Sequence, residues 1–263
     1  MADDRRPPTF SDACAAVLAD PEGTHSVTTT LAPIYARTRS GEWGKRRARL
    51  VTSRFLADVD RVLELGCGVG TVLQRLGERY EAIGVDDRGA QLRFPATRGE
   101  AVVRGDPSQP PLRSTFDAVC AVEDATGRSS AIDLCVAGYT VLRPGGIAVI
   151  AAPTDPSAIA EPGVETYSGS RYLLERAVDV TDSAIVVDYR VTDRRDGERA
   201  VTTERRAVET TTADKLTAAF RAAGFEEVLV AAESDLPGVV VGRGVRPVDT
   251  GDSAEPLLPG TAE

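Results

Sequence analysis

The sequence RVLELGCGVGT, residues 61–71, decides the fold of this chain. It runs from a short apolar strand into three glycines at alternate positions, and an acidic residue stands two places before the first glycine. Glycines let the backbone turn tightly and lie against a ligand, and the helix that follows presents unpaired N–H groups to the same ligand. The stretch therefore predicts a strand, a loop and a helix that together bind a cofactor.

The spacing of the glycines narrows the choice of cofactor. Gly66, Gly68 and Gly70 are separated by single residues, whereas the loop that binds the pyrophosphate of a dinucleotide reads GxGxxG. A triphosphate-binding loop of the GxxxxGK type needs a lysine, and here the third glycine is followed by Thr71. The spacing argues against both cofactors and matches the pattern E/DxGxGxG, with Glu64 as the acidic residue.

Short apolar runs alternate with helical segments from residue 61 to residue 152. Such alternation predicts a doubly wound α/β fold, in which crossover helices join the strands of a parallel sheet. The sequence RPGG at residues 143–146 predicts the end of a helix and a turn. The predicted strands are Val62–Leu65, Ala82–Val85, Ala101–Val103, Phe116–Val122 and Ile147–Ala152, and the predicted helices are Trp43–Val59, Val69–Arg79 and Ser129–Leu142, with a short turn at Gly89–Arg93.

The pattern changes after Pro153 to long runs of β-forming residues. The pair Asp196-Gly197 is a hairpin signal, so we predict an inserted antiparallel meander at about residues 165–212. A helix that ends at Gly224 then precedes two more strands. The predicted meander strands are Arg171–Val180, Ala184–Thr192 and Arg199–Thr212, and the last elements are the helix Ala213–Ala223 and the strands Glu226–Ala231 and Gly238–Val241.

The composition is that of one folded domain with appendages. With 263 residues and 42% hydrophobic content, the chain can bury a full core. We expect a flexible N-terminal arm at residues 1–30, the domain at 31–243 and a disordered tail at 244–263. No apolar run approaches the roughly 20 residues of a membrane helix, and the N-terminus lacks an apolar signal core, so we expect a cytoplasmic protein with no membrane partner.

The cysteines and the net charge limit the possible partners. Cys14, Cys67, Cys120 and Cys135 lack the paired spacing of metal sites, so we expect reduced, structural cysteines and no metal. The net charge of −9 argues against nucleic acid, because phosphate binding draws on a positive surface. The chain is rich in acids and has two lysines, a composition that resembles proteins of halophilic microbes.

With its acidic residue and three glycines, the chain resembles the class I S-adenosylmethionine-dependent methyltransferases over about residues 31–243. Each landmark is common alone, and it is their order along the chain that carries the resemblance. The resemblance implies a seven-stranded Rossmann-like sheet, mostly parallel with an antiparallel last strand, and S-adenosyl-L-methionine as the cofactor. The landmarks are Glu64, Gly66, Gly68 and Gly70, then Asp86, Asp106, the turn at 143–146 and the helix end Phe220–Phe225.

The resemblance also implies roles for the residues at these landmarks. In that family the acid after the second strand accepts hydrogen bonds from the ribose hydroxyls, and Asp86 matches it, with Asp87 as its neighbour. Asp106 matches the family's adenine contact. Cys67 fills the small-residue position between glycines and has no base beside it, so we expect no nucleophilic role. The implied cofactor-binding residues are Glu64, Gly66, Cys67, Gly68, Gly70, Asp86, Asp87, Asp106 and Glu123.

Within the family the chain is most similar to small-molecule enzymes that include sugar-amine N,N-dimethyltransferases. An N-terminal tyrosine closes over the cofactor there, so Tyr35 is the lid candidate. Glu123 stands where that subgroup has an aromatic residue, and Arg205-Arg206 where some members have a histidine. A carboxylate at Glu123 would bind a cationic amine or take its proton, or it is only a surface charge. Tyr35 and Glu123 are the catalytic candidates, and the single histidine, His25, lies in the arm.

The sequence is compatible with three functions. The first is methyl transfer to a small molecule, with an amine acceptor favoured over a hydroxyl. The second is a catalytically silent module that binds a cofactor or a partner, which an occluded glycine loop would favour. The third is methylation of a protein or RNA docked on the basic cluster Arg37–Arg54, against the acidity of the whole chain. A monomer and a homodimer are both compatible with the sequence, and the meander is either a lid or a dimer contact.

Overall fold

A computed structural model describes residues 6–39, 42–56, 58–113 and 115–248, and the side chains of Glu123 and Asp124 lie outside this description. The described helices are α1 (Phe10–Ala19), α2 (Ala32–Thr38), α3 (Glu42–Thr52), α4 (Thr71–Leu76), α5 (Gly89–Thr97), α6 (Glu123–Thr126), α7 (Ala131–Val141) and α8 (Ala213–Ala222). The described strands are β1 (Arg61–Leu65), β2 (Glu81–Asp86), β3 (Ala101–Arg104), β4 (Phe116–Ala121), β5 (Leu142–Pro153), β6 (Gly163–Ser168), β7 (Tyr172–Val180), β8 (Ala184–Asp193), β9 (Arg199–Ala207), β10 (Glu226–Ala232) and β11 (Val239–Val245).

Seven strands form one sheet in the order β10-β11-β5-β4-β1-β2-β3. β1 pairs in parallel with β2 and β4, β2 with β3, and β4 with β5. β11 runs antiparallel to both of its neighbours, β5 and β10. The carboxyl ends of β1, β2 and β4 therefore meet at one edge of the sheet, where open α/β folds bind their ligands.

Helices cover both faces of this sheet. Leu63 and Leu65 point to one face, where they share a core with Phe220 of α8 and with α7. Val62 points to the other face and packs with Val51 of α3 and with α4. Alternation of side chains along a strand produces this division. Because helices pack on both faces of the sheet, β1 and the start of the glycine loop are held in place.

The other four strands form a separate antiparallel meander in the order β6-β7-β8-β9. Val17 of α1 and Ile34 of α2 share a core with Leu174 and Val187 of the meander. The helix α1 begins with a capping box, in which Thr9 and the third helical residue exchange hydrogen bonds. Residues 6–30 are therefore packed on the meander, which differs from the flexible arm that we expected at residues 1–30.

The predicted Rossmann-like fold with an inserted meander is confirmed. The four cysteines are free and buried, as predicted. The predicted meander began at about residue 165, but β6 was not predicted as a strand, because its side chains are mostly exposed and show no alternating pattern. No helix in the described part of the chain is long and apolar enough to cross a membrane. Of the predicted tail, residues 249–263 lie outside the described residues, and β11 extends to Val245.

Three helices end away from their predicted positions. The helix α4 ends at Leu76, with Gly77 as its C-cap, rather than at residue 79. The helix α3 stops at Thr52 rather than at residue 59, because the side chains of Ser53 and Arg54 both donate to the carbonyl of Leu50 and replace helical hydrogen bonds. The helix α5 extends to residue 97, past the short turn that we predicted, with Pro95 inside it. Proline near a helix end removes a single N–H donor, which this short helix tolerates.

Candidate active site

The glycine loop joins β1 to α4 and has the backbone that its sequence demands. Gly66, Gly68 and Gly70 have φ values of +73°, +53° and +74°, a region that residues with a side chain rarely adopt. The N–H groups of Gly66 and Cys67 both donate to the carbonyl of Val85, at 2.8 and 3.1 Å. The loop is thereby fastened to the end of β2, beside the second acidic residue of the predicted site.

Packing also requires glycine in this loop. A Cβ atom on Gly66 would lie 2.4 Å from the Cβ of Ala125, so α6 closes over the first glycine. A Cβ on Gly68 would lie 2.9 Å from Oε1 of Gln91 and 3.1 Å from a guanidinium nitrogen of Arg88. The middle glycine therefore faces polar side-chain ends, and the first faces backbone-anchored atoms.

Two buried carboxylates flank the loop. Glu64, at 2% exposure, lines the space beside the glycines, and Asp86 is fully buried at the end of β2. Both Asp86 oxygens accept backbone hydrogen bonds, Oδ2 from Gly68 at 2.9 Å and Oδ1 from Arg88 at 2.9 Å. The guanidinium of Arg88 donates to both oxygens as well. Burial by itself raises the pKa of Asp86, but the bonds from Arg88 outweigh it and hold the pKa below its ordinary value.

Cys67 is an unreactive thiol in this environment. Burial raises its pKa well above the ordinary value, and the nearby charges of Glu64 and Asp86 raise it further. A thiol that stays protonated is a poor nucleophile. The geometry agrees with the expectation that Cys67 fills space between the glycines.

The space beside the loop, which we call the loop cavity, is almost filled by side chains. Its walls include Tyr35, Arg39, Trp43 and Arg88, and about 10 Å³ remains open. The Arg39 guanidinium lies 4.8 Å from the Trp43 ring centroid, and the Arg47 guanidinium lies 4.2 Å from it on the same ring. A volume of that size holds at most about one water molecule. Side chains must therefore move before any cofactor enters.

A second space, which we call the meander cavity, lies next to the loop cavity. It has a volume of about 430 Å³, within the range of small-molecule sites. Residues of the N-terminal segment, of β9 and of the turn after α6 line it. Tyr35 and Arg88 line both cavities. A larger hollow of about 680 Å³ beside α3 shares no lining residue with the loop cavity.

Glu204 is a site residue that we did not predict. It lines the meander cavity at 7% exposure. Its Oε1 accepts from the backbone N–H of Val27 at 2.9 Å, and its Oε2 lies 3.8 Å from Nε of Arg206. Burial raises the pKa of Glu204, and the nearby Arg206 charge offsets part of this effect. The strand β9 alternates buried and exposed residues, and Glu204 is the one acid in its buried row, a signal that the sequence does contain.

The lid candidate and the histidine of the expected arm both reach this region. Tyr35 lies in α2 at 5% exposure, with the guanidiniums of Arg39 and Arg206 5.1 and 5.7 Å from its ring centroid. His25 lines the meander cavity, and its Nε2 donates to the carbonyl of Asp20 at 2.7 Å. The packed N-terminal segment therefore supplies one wall of the site.

Three other predicted residues lie outside these cavities or outside the description. Asp87 is exposed and pairs with Arg128 at 3.5 Å. Asp106 is exposed after β3, where its Oδ1 accepts from the backbone and hydroxyl of Ser108 at 2.8 and 2.7 Å. Glu123 begins α6 at the sheet edge, but its side chain lies outside the described residues. Their roles remain predictions.

A family model for the methyltransferase domain matches residues 63–150, which run from β1 into β5. This is a class I methyltransferase fold. The match covers about a third of the chain, and together with the strand order it confirms the predicted methyltransferase fold. A methyltransferase domain of this kind implies S-adenosyl-L-methionine as its cofactor. None of the curated proteins compared with the chain matches its sequence.

Several solved structures share the fold. DesVI from Streptomyces venezuelae is 19% identical, with a TM-score of 0.66 over 83% of this chain and 99% of its own. CalS10, an amino pentose methyltransferase from Micromonospora echinaspora, is 21% identical, with a TM-score of 0.64 over 85% of this chain and 100% of its own. The sugar N-methyltransferase KedS8 from a Streptoalloteichus species is 21% identical, with a TM-score of 0.59 over 78% and 86%. Identities this low show a common fold.

The residues around the loop fit the adenosyl cofactor of the methyltransferase domain. The three glycines form a cradle that side chains would fill, and carboxylates stand at the ends of β1 and β2. Gln91 is fully buried next to Gly68, and its Oε1 has no hydrogen-bond partner among the described residues, so it is an acceptor available to a hydroxyl or amine. One feature does not fit a ribose at Asp86, because the Arg88 guanidinium already donates to both Asp86 oxygens.

Proposed function

We propose that this chain transfers a methyl group from S-adenosyl-L-methionine to a small-molecule amine held in the meander cavity. The observation that carries the proposal is that Tyr35 and Arg88 line both cavities, so an acceptor in one adjoins a donor in the other. The cofactor supplies an activated sulfonium methyl group. The chain's own task is to align the acceptor with that methyl and to exclude water.

The residues of the loop cavity divide the task of holding the donor. Glu64 and Asp86 present buried carboxylate oxygens at the ends of β1 and β2. The three glycines let the donor approach the backbone. Tyr35 and Trp43 supply aromatic walls that keep water away from the reacting atoms. On the resemblance alone, we propose that Asp106 and Asp87 contact the adenosine.

Glu204 is our choice for the group that handles the proton of an amine acceptor. An amine attacks with its lone pair: the nitrogen–carbon bond forms, the sulfur–carbon bond breaks, and the nitrogen then gives up one proton. The carboxylate of Glu204 lines the cavity, and its raised pKa makes it a better proton acceptor than an ordinary glutamate. Glu123 and Tyr35 remain candidates for the same role.

The names of the similar structures support an amine over a hydroxyl. CalS10 is an amino pentose methyltransferase and KedS8 is a sugar N-methyltransferase. For this chain we propose an amine-bearing metabolite as the acceptor. We do not propose that this acceptor is an amino sugar, because Glu123 and Arg206 depart from the pattern of that subgroup. We also propose a cytoplasmic location, with either a monomer or a homodimer as the working form.

The test is a screen of amine, hydroxyl and carboxylate metabolites for release of S-adenosylhomocysteine. We expect turnover with a subset of the amines and a loss of at least tenfold in kcat for Glu204→Gln. Glu175→Gln is the matched control, because Glu175 lies on the meander in an exposed pair with Arg190 and lines neither cavity. Turnover restricted to hydroxyl acceptors, or equal rates for both variants, would contradict the proposed role of Glu204.

A catalytically silent module is the second candidate, and one observation favours it. The loop cavity is filled by Tyr35, Arg39, Trp43 and Arg88, which is the occlusion that such a module would show. Titration with S-adenosylmethionine separates an enzyme from a silent partner-binding module, which takes up no cofactor at any concentration. A silent module that binds the cofactor is separated by the metabolite screen, in which it releases no S-adenosylhomocysteine.

Methylation of a protein or RNA receives less support from the basic cluster. Arg39 and Arg47 are buried against aromatic rings, and Arg54 pairs with Glu233 at 2.6 Å. These three arginines are therefore engaged within the protein, and the exposed residues of the cluster include Lys45, Arg46 and Arg49. A salt-sensitive affinity for RNA would restore this third function.

A further inference from the structure

Asp86 has no capacity left for another hydrogen-bond donor. An ionised carboxylate offers about four acceptor positions on its two oxygens. Gly68 N–H takes one, the backbone N–H of Arg88 takes a second, and the Arg88 guanidinium takes the other two. The two hydroxyls of a ribose can bind Asp86 only if the guanidinium leaves. The backbone donors need not move.

The Arg88 side chain can occupy either of two cavities. Its side chain is 6% exposed, lies against the middle glycine and lines the loop cavity. The same side chain lines the meander cavity, which is about 430 Å³ in volume. A change of rotamer moves the head of an arginine by several ångströms while its backbone stays fixed. The guanidinium can therefore pass from one cavity to the other without unfolding α5.

We propose that Arg88 holds Asp86 in the cofactor-free protein and is displaced into the meander cavity when the cofactor ribose takes Asp86, where it binds an anionic group of the acceptor. This inference rests on the proposed function and adds a specificity-determining residue and an order of binding to it. The cofactor binds first, because the acceptor's cationic partner is released only then. The acceptor carries a carboxylate or a phosphate in addition to its amine.

The charges around the meander cavity agree with an anionic acceptor. Arg128, Arg205 and Arg206 line it together with Arg88, and Glu204 is the acid among its described lining residues. Arg128 pairs with exposed Asp87, and Arg206 lies near Glu204 at 3.8 Å. A guanidinium fork matches the two oxygens of a carboxylate or of a phosphate. The released Arg88 would add a further cation, close to the reacting end of the cavity.

The first arm of the test measures cofactor affinity without an acceptor. S-adenosylhomocysteine is titrated by calorimetry into the full chain and its variants, with fluorescence of the single tryptophan, Trp43, as a second signal from the loop cavity. If Asp86 is open about a tenth of the time, we expect Arg88→Ala and Arg88→Gln to bind about tenfold more tightly than the unaltered chain. Arg75→Ala is the control, since Arg75 pairs with Glu78 on the surface.

The second arm measures the anion site. Inorganic phosphate and acetate are titrated with and without saturating S-adenosylhomocysteine, which separates the two anion classes. We expect one of them to bind the cofactor-loaded chain at least fivefold more tightly than the free chain, and we expect Arg88→Gln to abolish that difference.

The outcomes separate this inference from the proposed function. Weaker or unchanged binding of S-adenosylhomocysteine by both Arg88 variants overturns the displacement, because it makes Arg88 a support for Asp86. Equal anion binding with and without cofactor overturns the order of binding. If neither the unaltered chain nor the variants bind S-adenosylhomocysteine, the proposed function fails and this inference fails with it.

Discussion

Replacing Gly66 by alanine tests how closely α6 packs against the glycine loop. Gly66 has φ +73°, and its Cβ would lie 2.4 Å from Cβ and 3.2 Å from Cα of Ala125. Both atoms belong to or are bonded to backbone and cannot swing aside. The positive φ costs about 1–2 kcal/mol for a residue with a side chain. Overpacking adds about 1–3 kcal/mol, so we expect a loss of about 2–5 kcal/mol in the free energy of unfolding.

Gly99→Ala is the matched control. Gly99 has φ +84° and no atom within 4 Å of a Cβ built on it, so it has the conformational cost without the clash. The assay is urea unfolding of the two variants and the unaltered chain. Both substitutions reduce the entropy of the unfolded chain equally, so the difference between them isolates the clash, about 1–3 kcal/mol. Equal stabilities of the two variants would refute the close approach of α6 to the loop.

Three further predictions concern the cofactor, the buried acid and the thiols. Asp86→Ala should weaken S-adenosylmethionine binding by about 100-fold or more, since two charge-assisted hydrogen bonds contribute about 1.5 kcal/mol or more each, and Gly68→Arg should abolish it. Asp182→Ala, at an exposed acid that lines neither cavity, should change the binding less than threefold. The pKa of Glu204 is raised in the folded protein, so its contribution to the free energy of unfolding is lost as pH rises from the ordinary pKa of 4.5 through the folded value. Over that window we expect Glu204→Gln to gain stability relative to the unaltered chain, measured by urea unfolding at pH 4 to 8. Parallel plots of unfolding free energy against pH for the two proteins would contradict the shift. Burial raises the pKa of Cys14 and Cys135 to about 12, so a thiol reagent at pH 8 should label none of the four cysteines until the protein unfolds, and rapid labelling of the native protein would show that the thiols are accessible.

The fold was predictable because its signals are local. The alternation of apolar runs and helical segments predicted the parallel strands, and the pair Asp196-Gly197 predicted the hairpin, where Gly197 has φ +79°. The glycine spacing likewise predicted the loop, because glycine at three alternate positions permits the positive φ values that the loop adopts. Helix ends were less predictable, because side-chain caps such as that of Ser53 on Leu50 are set by the fold.

The walls of the site were predictable only in part. Asp86 follows from the strand that precedes it, but its bidentate partner Arg88 is an unremarkable charge in the sequence. Glu204 is 177 residues from Val27, and their hydrogen bond exists only because the N-terminal segment packs on the meander. Contacts between distant segments depend on tertiary packing, which periodicity and spacing do not specify. The groups that bind the donor are local, and those that select the acceptor are not.

A crystal structure of the chain with S-adenosylhomocysteine tests the central claim most directly. We expect the ligand in the glycine loop, its ribose hydroxyls bonded to Asp86, and the Arg88 guanidinium in the meander cavity. A structure from saturated crystals with Asp86 still held by Arg88 and no ligand at Gly66–Gly70 would contradict the account.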